Sequence, residues 1–236
     1  MNEPYLLLWL EAPLQAWGHD SKFGRRDSLD FPTKSGVLGL LCCARGAAGE
    51  QSEWLQNWAD RDLQVIAYAR SDRHGQPSPR LPLLRDFHMV GSGYNDQDPW
   101  STLLIPKTSQ GKKAVGGGTK MTYRYYLQDM AFAVALQGPQ AELMQLADAL
   151  QNPVWDLYLG RKTCVPTEFI YQGIYADLDQ VMQKAGRLAA EKARLSVFKV
   201  LQGEHDGEVL TLNDVPLQFG QHKRYRDRRV TVLRME

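Results

Sequence analysis

Cysteine is scarce in this 236-residue chain: three residues, two of them adjacent (Cys42, Cys43) and one alone (Cys164). Three thiols cannot all pair, so a disulfide scaffold is excluded and a reducing, cytoplasmic setting is expected. Long apolar runs are also missing. The longest, Tyr5 to Leu10, is far short of the ~20 residues that cross a bilayer. Glu3 precedes it without a basic stretch, so it is not read as a secretion signal or membrane anchor. Net charge of one sign is absent too, at +1. That sum hides an uneven distribution. Lys107 to Arg124 holds five basic residues and no acid, and Gln221 to Arg234 holds six against Asp227 alone. Two basic stretches on a near-neutral protein suit a polyanion-binding surface, although each could equally be a solvated loop.

Several kinds of chemistry are lacking. Cys42-Cys43 is not a CxxC pair, the five histidines are scattered, and no HExxH or DxDxDG pattern occurs, so no metal site is expected. Gly111-Lys112 and Gly118-Thr119-Lys120 do not have the spacing of a phosphate-binding loop. No GxGxxG follows a strand and no GxSxG is present, which leaves no cofactor and no serine hydrolase.

What is present reads as alternating strands and helices. Tyr5 to Leu10 is a buried strand, and Gln15 to Lys34 a long loop. Ser35 is the expected N-cap of a helix carrying Val37, Leu38, Leu40, Leu41 and Ala44. Trp54, Leu55 and Trp58 mark a short second helix, and Leu63 to Ala69 a strand. Strands near Leu83 to Val90 and Met121 to Leu127 flank a Gly-rich, basic stretch, which predicts a hairpin with a long exposed tip. In Met130 to Leu136, Phe132, Val134 and Leu136 alternate with alanines. Pro139 opens a helix over Ala141 to Leu150; a further helix over Leu178 to Lys192 and strands at Leu195 to Leu201 and Arg229 to Leu233 follow. The order is that of a split βαβ, ferredoxin-like plan, with one sheet face or the hairpin left for a ligand.

The candidate binding residues follow from this. Phe31-Pro32-Thr33-Lys34-Ser35-Gly36 places a lysine, hydroxyls and unpaired N–H groups at a helix start, which suits a phosphate; plain N-capping by Ser35 would also account for it. Trp17, Phe23, Tyr94, Trp100, Tyr123, Tyr125 and Tyr126 interleave with Arg25, Arg26, Lys120 and Arg124, as in surfaces that stack single-stranded bases. A core face of one strand is the alternative for Tyr123 and Tyr125. His19, His88 and His222 lie near basic residues and could serve an RNase.

Five ordered motifs together resemble the CasD-type subunits (RAMP superfamily) of type I-E CRISPR Cascade. They are Leu10-Glu11-Ala12-Pro13-Leu14-Gln15-Ala16-Trp17-Gly18; Phe31 to Leu41; Leu84-Arg85-Asp86-Phe87-His88-Met89-Val90; Tyr123 to Phe132; and Tyr158-Leu159-Gly160-Arg161-Lys162-Thr163-Cys164-Val165-Pro166. The resemblance implies an α+β fold. A ferredoxin-like, RNA-recognition-like domain would span 1–165, with a protruding thumb hairpin at about 83–127. A small C-terminal β-rich element, 166–236, would pack on it. It implies a non-catalytic subunit that caps the 5′ handle of the crRNA, contacts the CasC backbone and the large subunit CasA, and meets target DNA indirectly. On this reading Lys34 and Ser35 hold handle phosphates, Trp17 and Arg25 line the same end, and Arg85 and His88 stand at the thumb base. Lys120 and Arg124 lie on the return strand, and Arg161 closes the pocket. Two alternatives stand beside it. One is a metal-independent endoribonuclease using His88 or His19 with Lys34 or Lys120, as in type I-C relatives; the other is a protein-only scaffold.

Overall fold

The computed structural model describes residues 3–18, 21, 24–91, 97, 100, 103, 105–114 and 118–235. His19, Phe23 and Tyr94, considered above for binding or catalysis, lie outside them. A seven-stranded antiparallel sheet is the frame. Four of its strands are β1 (Tyr5–Glu11), β4 (Leu63–Arg70), β7 (Ala131–Gln137) and β8 (Tyr171–Tyr175), in the order β4-β7-β1-β8 with β8 at the edge. With helices α1 (Lys34–Ala44) and α3 (Gln140–Gln151) in the crossovers, this is the split βαβ arrangement expected from the sequence. A short helix α2 (Ser52–Trp58) lies between α1 and β4. The chain beyond residue 165 continues the same sheet at both edges. It supplies β8 at one side, and β9 (Arg194–Gln202), β11 (Arg224–Arg234) and β10 (Glu208–Gln218) beyond β4 at the other.

Alternation in β1 divides the core. Leu6, Leu8 and Leu10 face one side, in a cluster with Val37, Leu41, Leu143 and Leu146 from α1 and α3. Leu7 and Trp9 face the other, with Ile66, Tyr68 and the alanines of β7. That second face is covered by α4 (Leu178–Glu191), which lays Val181, Ala185, Leu188 and Ala189 on it. The alanines at 131, 133 and 135 let the helix approach closely. The expectation of a free sheet face is therefore corrected: this amphipathic helix closes it.

β5 (Leu84–Val90) and β6 (Lys120–Gln128) form the expected hairpin, paired Leu84↔Tyr126 through Val90↔Lys120. β6 also binds two short strands in the loop after β1, β2 (Leu14–Gln15) and β3 (Arg25–Arg26). The hairpin is anchored where β6 turns into β7. Arg194, fully buried, donates to Glu11 Oε1 on β1 (2.6 Å) and to the Asp129 carbonyl (3.0 Å) in that turn.

The start of α1 differs from expectation. Thr33, not Ser35, is the N-cap: it is extended after Pro32, and its hydroxyl accepts the Gly36 N–H at 3.1 Å. The next donor, the Lys34 N–H, is taken by Asp214 Oδ2 of β10 at 2.7 Å. Arg228 of β11 grips that carboxylate through two bonds of 2.7 and 2.9 Å. The Lys34 side chain turns inward and has no exposed surface. Its Nζ donates to the carbonyls of Ala59 (2.8 Å) and Arg61 (2.6 Å), just past α2. Burial, reinforced by Arg228, pushes its pKa down to about 8.

Lys34→Ala is expected to lower the unfolding free energy by about 2–4 kcal/mol at neutral pH, through lost packing and two stranded carbonyls. A depressed lysine pKa means the unfolded chain binds more protons between pH 8 and 10.5, so wild-type stability rises across that window. The measured difference between wild type and Lys34→Ala should grow over the same range, on the order of 2 kcal/mol. Denaturant titrations at several pH values check both; a flat difference would contradict the buried ammonium.

Candidate nucleic-acid interface

The exposed side of α1 carries Ser35, Gly39 and Cys43 one turn apart, with Gly36 beside them. These short side chains leave a groove made of two adjoining cavities of about 180 and 200 Å3 that share Ser35, Gly36 and Gly160. One wall is the tip of the β10–β11 hairpin, with Phe219, Lys223 and Tyr225. The other is the 158–160 loop, with Tyr158.

Two glycines make the groove possible. At Gly160, φ is +92°, and a Cβ would lie 1.7 Å from the Ala16 carbonyl oxygen. The loops meet there through an Ala16 N–H to Leu159 O bond of 3.1 Å. At Gly36, a Cβ would fall 2.8 Å from the Trp17 ring. Three of the five sequence motifs thus converge on one place, which their separation along the chain does not reveal.

The second part of the interface is the β5–β6 ribbon. Directly paired residues share a face, so the register sorts its side chains. Arg85, Phe87, Met89, Met121, Tyr123 and Tyr125 lie on one face; Asp86, His88, Lys120 and Arg124 lie on the other. The first face is open, with Phe87 49% and Met121 61% exposed. Phe87 and Tyr123 rings are 5.4 Å apart, Arg85 lies over Tyr123 at 5.6 Å, and Arg25 from β3 lies over Tyr125 at 4.8 Å. Planar π faces backed by guanidinium groups can accept unstacked bases.

The residues expected at the site now separate. Ser35 lines both cavities, and Arg25 and Arg85 are exposed on the aromatic face, Arg25 with its Nε bonded to the Asp27 carboxylate at 2.8 and 2.9 Å. Lys34 is corrected: its ammonium is in the core, and the helix start it was meant to arm for phosphate already holds the Asp214 carboxylate. Trp17 is corrected as well. It is 1% exposed, with its indole N–H donating to Gln15 Oε1 at 3.1 Å, so it builds the wall. Arg161 is spent on structure: it donates to the carbonyls of Tyr125 (3.0 Å) and Arg26 (2.8 Å) and lies 4.6 Å over the Tyr126 ring, stapling the groove loop to the ribbon. His88, Lys120 and Arg124 are on the ribbon face opposite Arg85, and His88 Nδ1 is 3.8 Å from Asp86 Oδ2.

Sequence reasoning missed Tyr158, Phe219, Lys223 and Tyr225. The basic run from 221 to 234 was a signal, yet not all of it is available. Arg228 is buried against Asp214, while Arg226 pairs with Asp60 and Arg229 with Glu204. Phe87, Met89 and Met121 were legible only as alternating residues on a strand. Among the described residues, no group of three or more His, Cys, Asp or Glu side chains is placed to hold a metal, and no helix is long and apolar enough to cross a membrane.

Comparison with known proteins places the family. A family model described as CRISPR-associated protein (Cas_Cas5) matches residues 5–231. The CRISPR system Cascade subunit CasD of Escherichia coli (strain K12) is 33% identical over 174 residues, covering 72% of this chain and 70% of that protein. A solved chain of a CRISPR RNA-guided surveillance complex is 30% identical with a TM-score of 0.70, over 98% of this chain and 90% of that one. A crystal structure of a Cas protein is 27% identical with a TM-score of 0.60, over 98% and 94%. With the family model spanning nearly the whole chain and the α+β sheet shared, the chain belongs to the CRISPR-associated Cas5 family.

Proposed function

We propose that this chain is a crRNA-binding subunit of a type I-E Cascade complex, caps the 5′ handle of the crRNA without cutting it, and links the CasC backbone to the large subunit CasA. Contact with target DNA is indirect, and the setting is the cytoplasm. The observation that carries this reading is the groove on α1, walled by Tyr158 and by Lys223 and Tyr225, next to a ribbon face of Arg25, Arg85, Phe87 and Tyr123. Arg161 joins the two parts physically. Ser35 and Lys223 contact handle phosphate or ribose in the groove. The ribbon face stacks bases, while Lys120 and Arg124 on its far face meet backbone. Phosphate contacts position the strand; the stacked and edge-bonded bases carry sequence preference.

The direct test incubates the protein with repeat-containing RNA in EDTA and resolves the mixture on native and denaturing gels. Handle-preferring shifts with intact RNA are expected. A defined cut would overturn the non-catalytic assignment and bring His88 forward as a candidate acid or base.

Gly39 offers a sharper probe, since only the Phe219 ring edge, 4.0 Å away, meets a Cβ there. Gly39→Leu adds helix propensity of up to about 1 kcal/mol and fills the groove. The expected result is an unchanged or raised melting temperature with handle affinity reduced about tenfold. Full affinity in this variant would remove the groove from the site.

On the ribbon, Phe87→Ala with Tyr123→Ala is expected to weaken RNA binding by about 1–3 kcal/mol per base unstacked, leaving its salt dependence intact. Lys223→Ala should instead flatten the slope of log affinity against log salt by up to about one unit. Fluorescence anisotropy over a salt series separates the two.

A further inference from the structure

A cavity of about 570 Å3 beside the β9–β11 end of the sheet takes no part in that interface. Its floor is apolar: Phe31 stands before α1, and Phe198, Leu210 and Val232 come from β9, β10 and β11. Phe31 and Phe198 meet edge to face at 6.4 Å. The walls are held in place. In the 71–80 loop the Asp72 N–H bonds Gln76 O and the Ser78 N–H bonds Arg70 O, both at 2.8 Å. Arg80 donates to Asp30 Oδ1 at 2.7 Å across the rim. A preformed recess of this size with an apolar floor and a polar rim is a usual form of receptor for an anchoring group.

Two features identify the group. First, each cation at the rim faces a carboxylate: Arg80 with Asp30, and Arg234 with Glu208 at 3.9 Å. A phosphate placed there would lie against Asp30 and Glu208, so a nucleic acid strand is disfavoured and a neutral apolar side chain fits. Second, Leu210 and Glu208 belong to the outermost strand of the sheet, and β10 has no partner on its outer side among the described residues. Glu208, Val209 and Thr211 are exposed. An open sheet edge beside a side-chain recess is the geometry of strand addition, in which main-chain bonds give affinity and the recess gives selectivity.

We infer that β10 is a docking edge for an extended segment of a neighbouring protein subunit, which adds a strand along Glu208–Thr211 and seats a large apolar side chain in the cavity floored by Phe31 and Phe198. The inference rests on the chain working within a multisubunit ribonucleoprotein, but not on how it holds RNA.

The test compares hydrogen–deuterium exchange of the chain in the assembled ribonucleoprotein with that of the chain bound to crRNA alone. Amides over 208–212 should exchange about tenfold more slowly in the assembly. Ser78→Trp, which fills the recess from its rim, should abolish that protection and lower retention of the chain in the assembly about tenfold on gel filtration. Its crRNA affinity as an isolated chain should match wild type. Gln76→Trp, at an exposed rim position, repeats the test should Ser78→Trp melt early. Unprotected amides in the assembly, or wild-type retention of both variants, would overturn the inference. Protection already given by crRNA alone would also overturn it, making nucleic acid the occupant. Loss of handle binding on Gly39→Leu bears only on the groove, so the two readings fail separately.

Discussion

A single carboxylate, Asp214, connects the far end of the chain to its beginning. It satisfies the Lys34 N–H at the start of α1, where the helix dipole favours an anion, and is itself held by two bonds from Arg228. Asp214 continues the inward alternation of Leu210 and Leu212, and the register shift between Asn213 and Val215 follows it, so Val215 is buried next to it. With that contact made, the β10–β11 hairpin must curl over α1, and its tip becomes the wall of the groove. Lys34 completes the arrangement from within, closing the carbonyls after α2. Breaking a buried pair of this kind costs about 3–5 kcal/mol, since the surviving charge has no water to turn to.

The same contact changes what α1 can bind. A helix start with free N–H groups and a lysine is a ready phosphate seat. Here the protein fills that seat with its own carboxylate and withdraws the lysine. The open groove lies instead along the strip of Ser35, Gly36 and Gly39, where small side chains leave depth. A second displacement occurs at the sheet. The ferredoxin-like face opposite α1 and α3 is sealed by α4, so the surfaces left open are those of helix α1, the loops and the hairpin.

The hairpin was legible in sequence because two strand-like stretches, the second rich in tyrosine, flank a run of glycines. Its register was not. Pairing Phe87 with Tyr123 puts Arg85 with the aromatics and sends His88, Lys120 and Arg124 to the other side. A one-residue slip would reverse that assignment, and only the paired strand decides it. β8 and β10 escaped the sequence reading for local reasons. Gly173 interrupts β8, and Asn213, Asp214 and Pro216 give β10 poor strand propensity. Both strands form because tertiary pairing and the Asp214–Arg228 bond outweigh that preference.

By itself the sequence determined the order of the main helices and most strands, the buried strand β1, the alternating core of β7, the hairpin and the string of motifs that marks the family. These depend on periodicity, capping and residue type, which are local along the chain. The tertiary structure alone decided which charges are available. Lys34, Arg161 and Arg228 read as three cations among many, yet each is consumed by partners 14 to 135 positions away in sequence. Whether a basic side chain meets solvent or a buried carbonyl is set by long-range packing, and no spacing rule in one sequence encodes it.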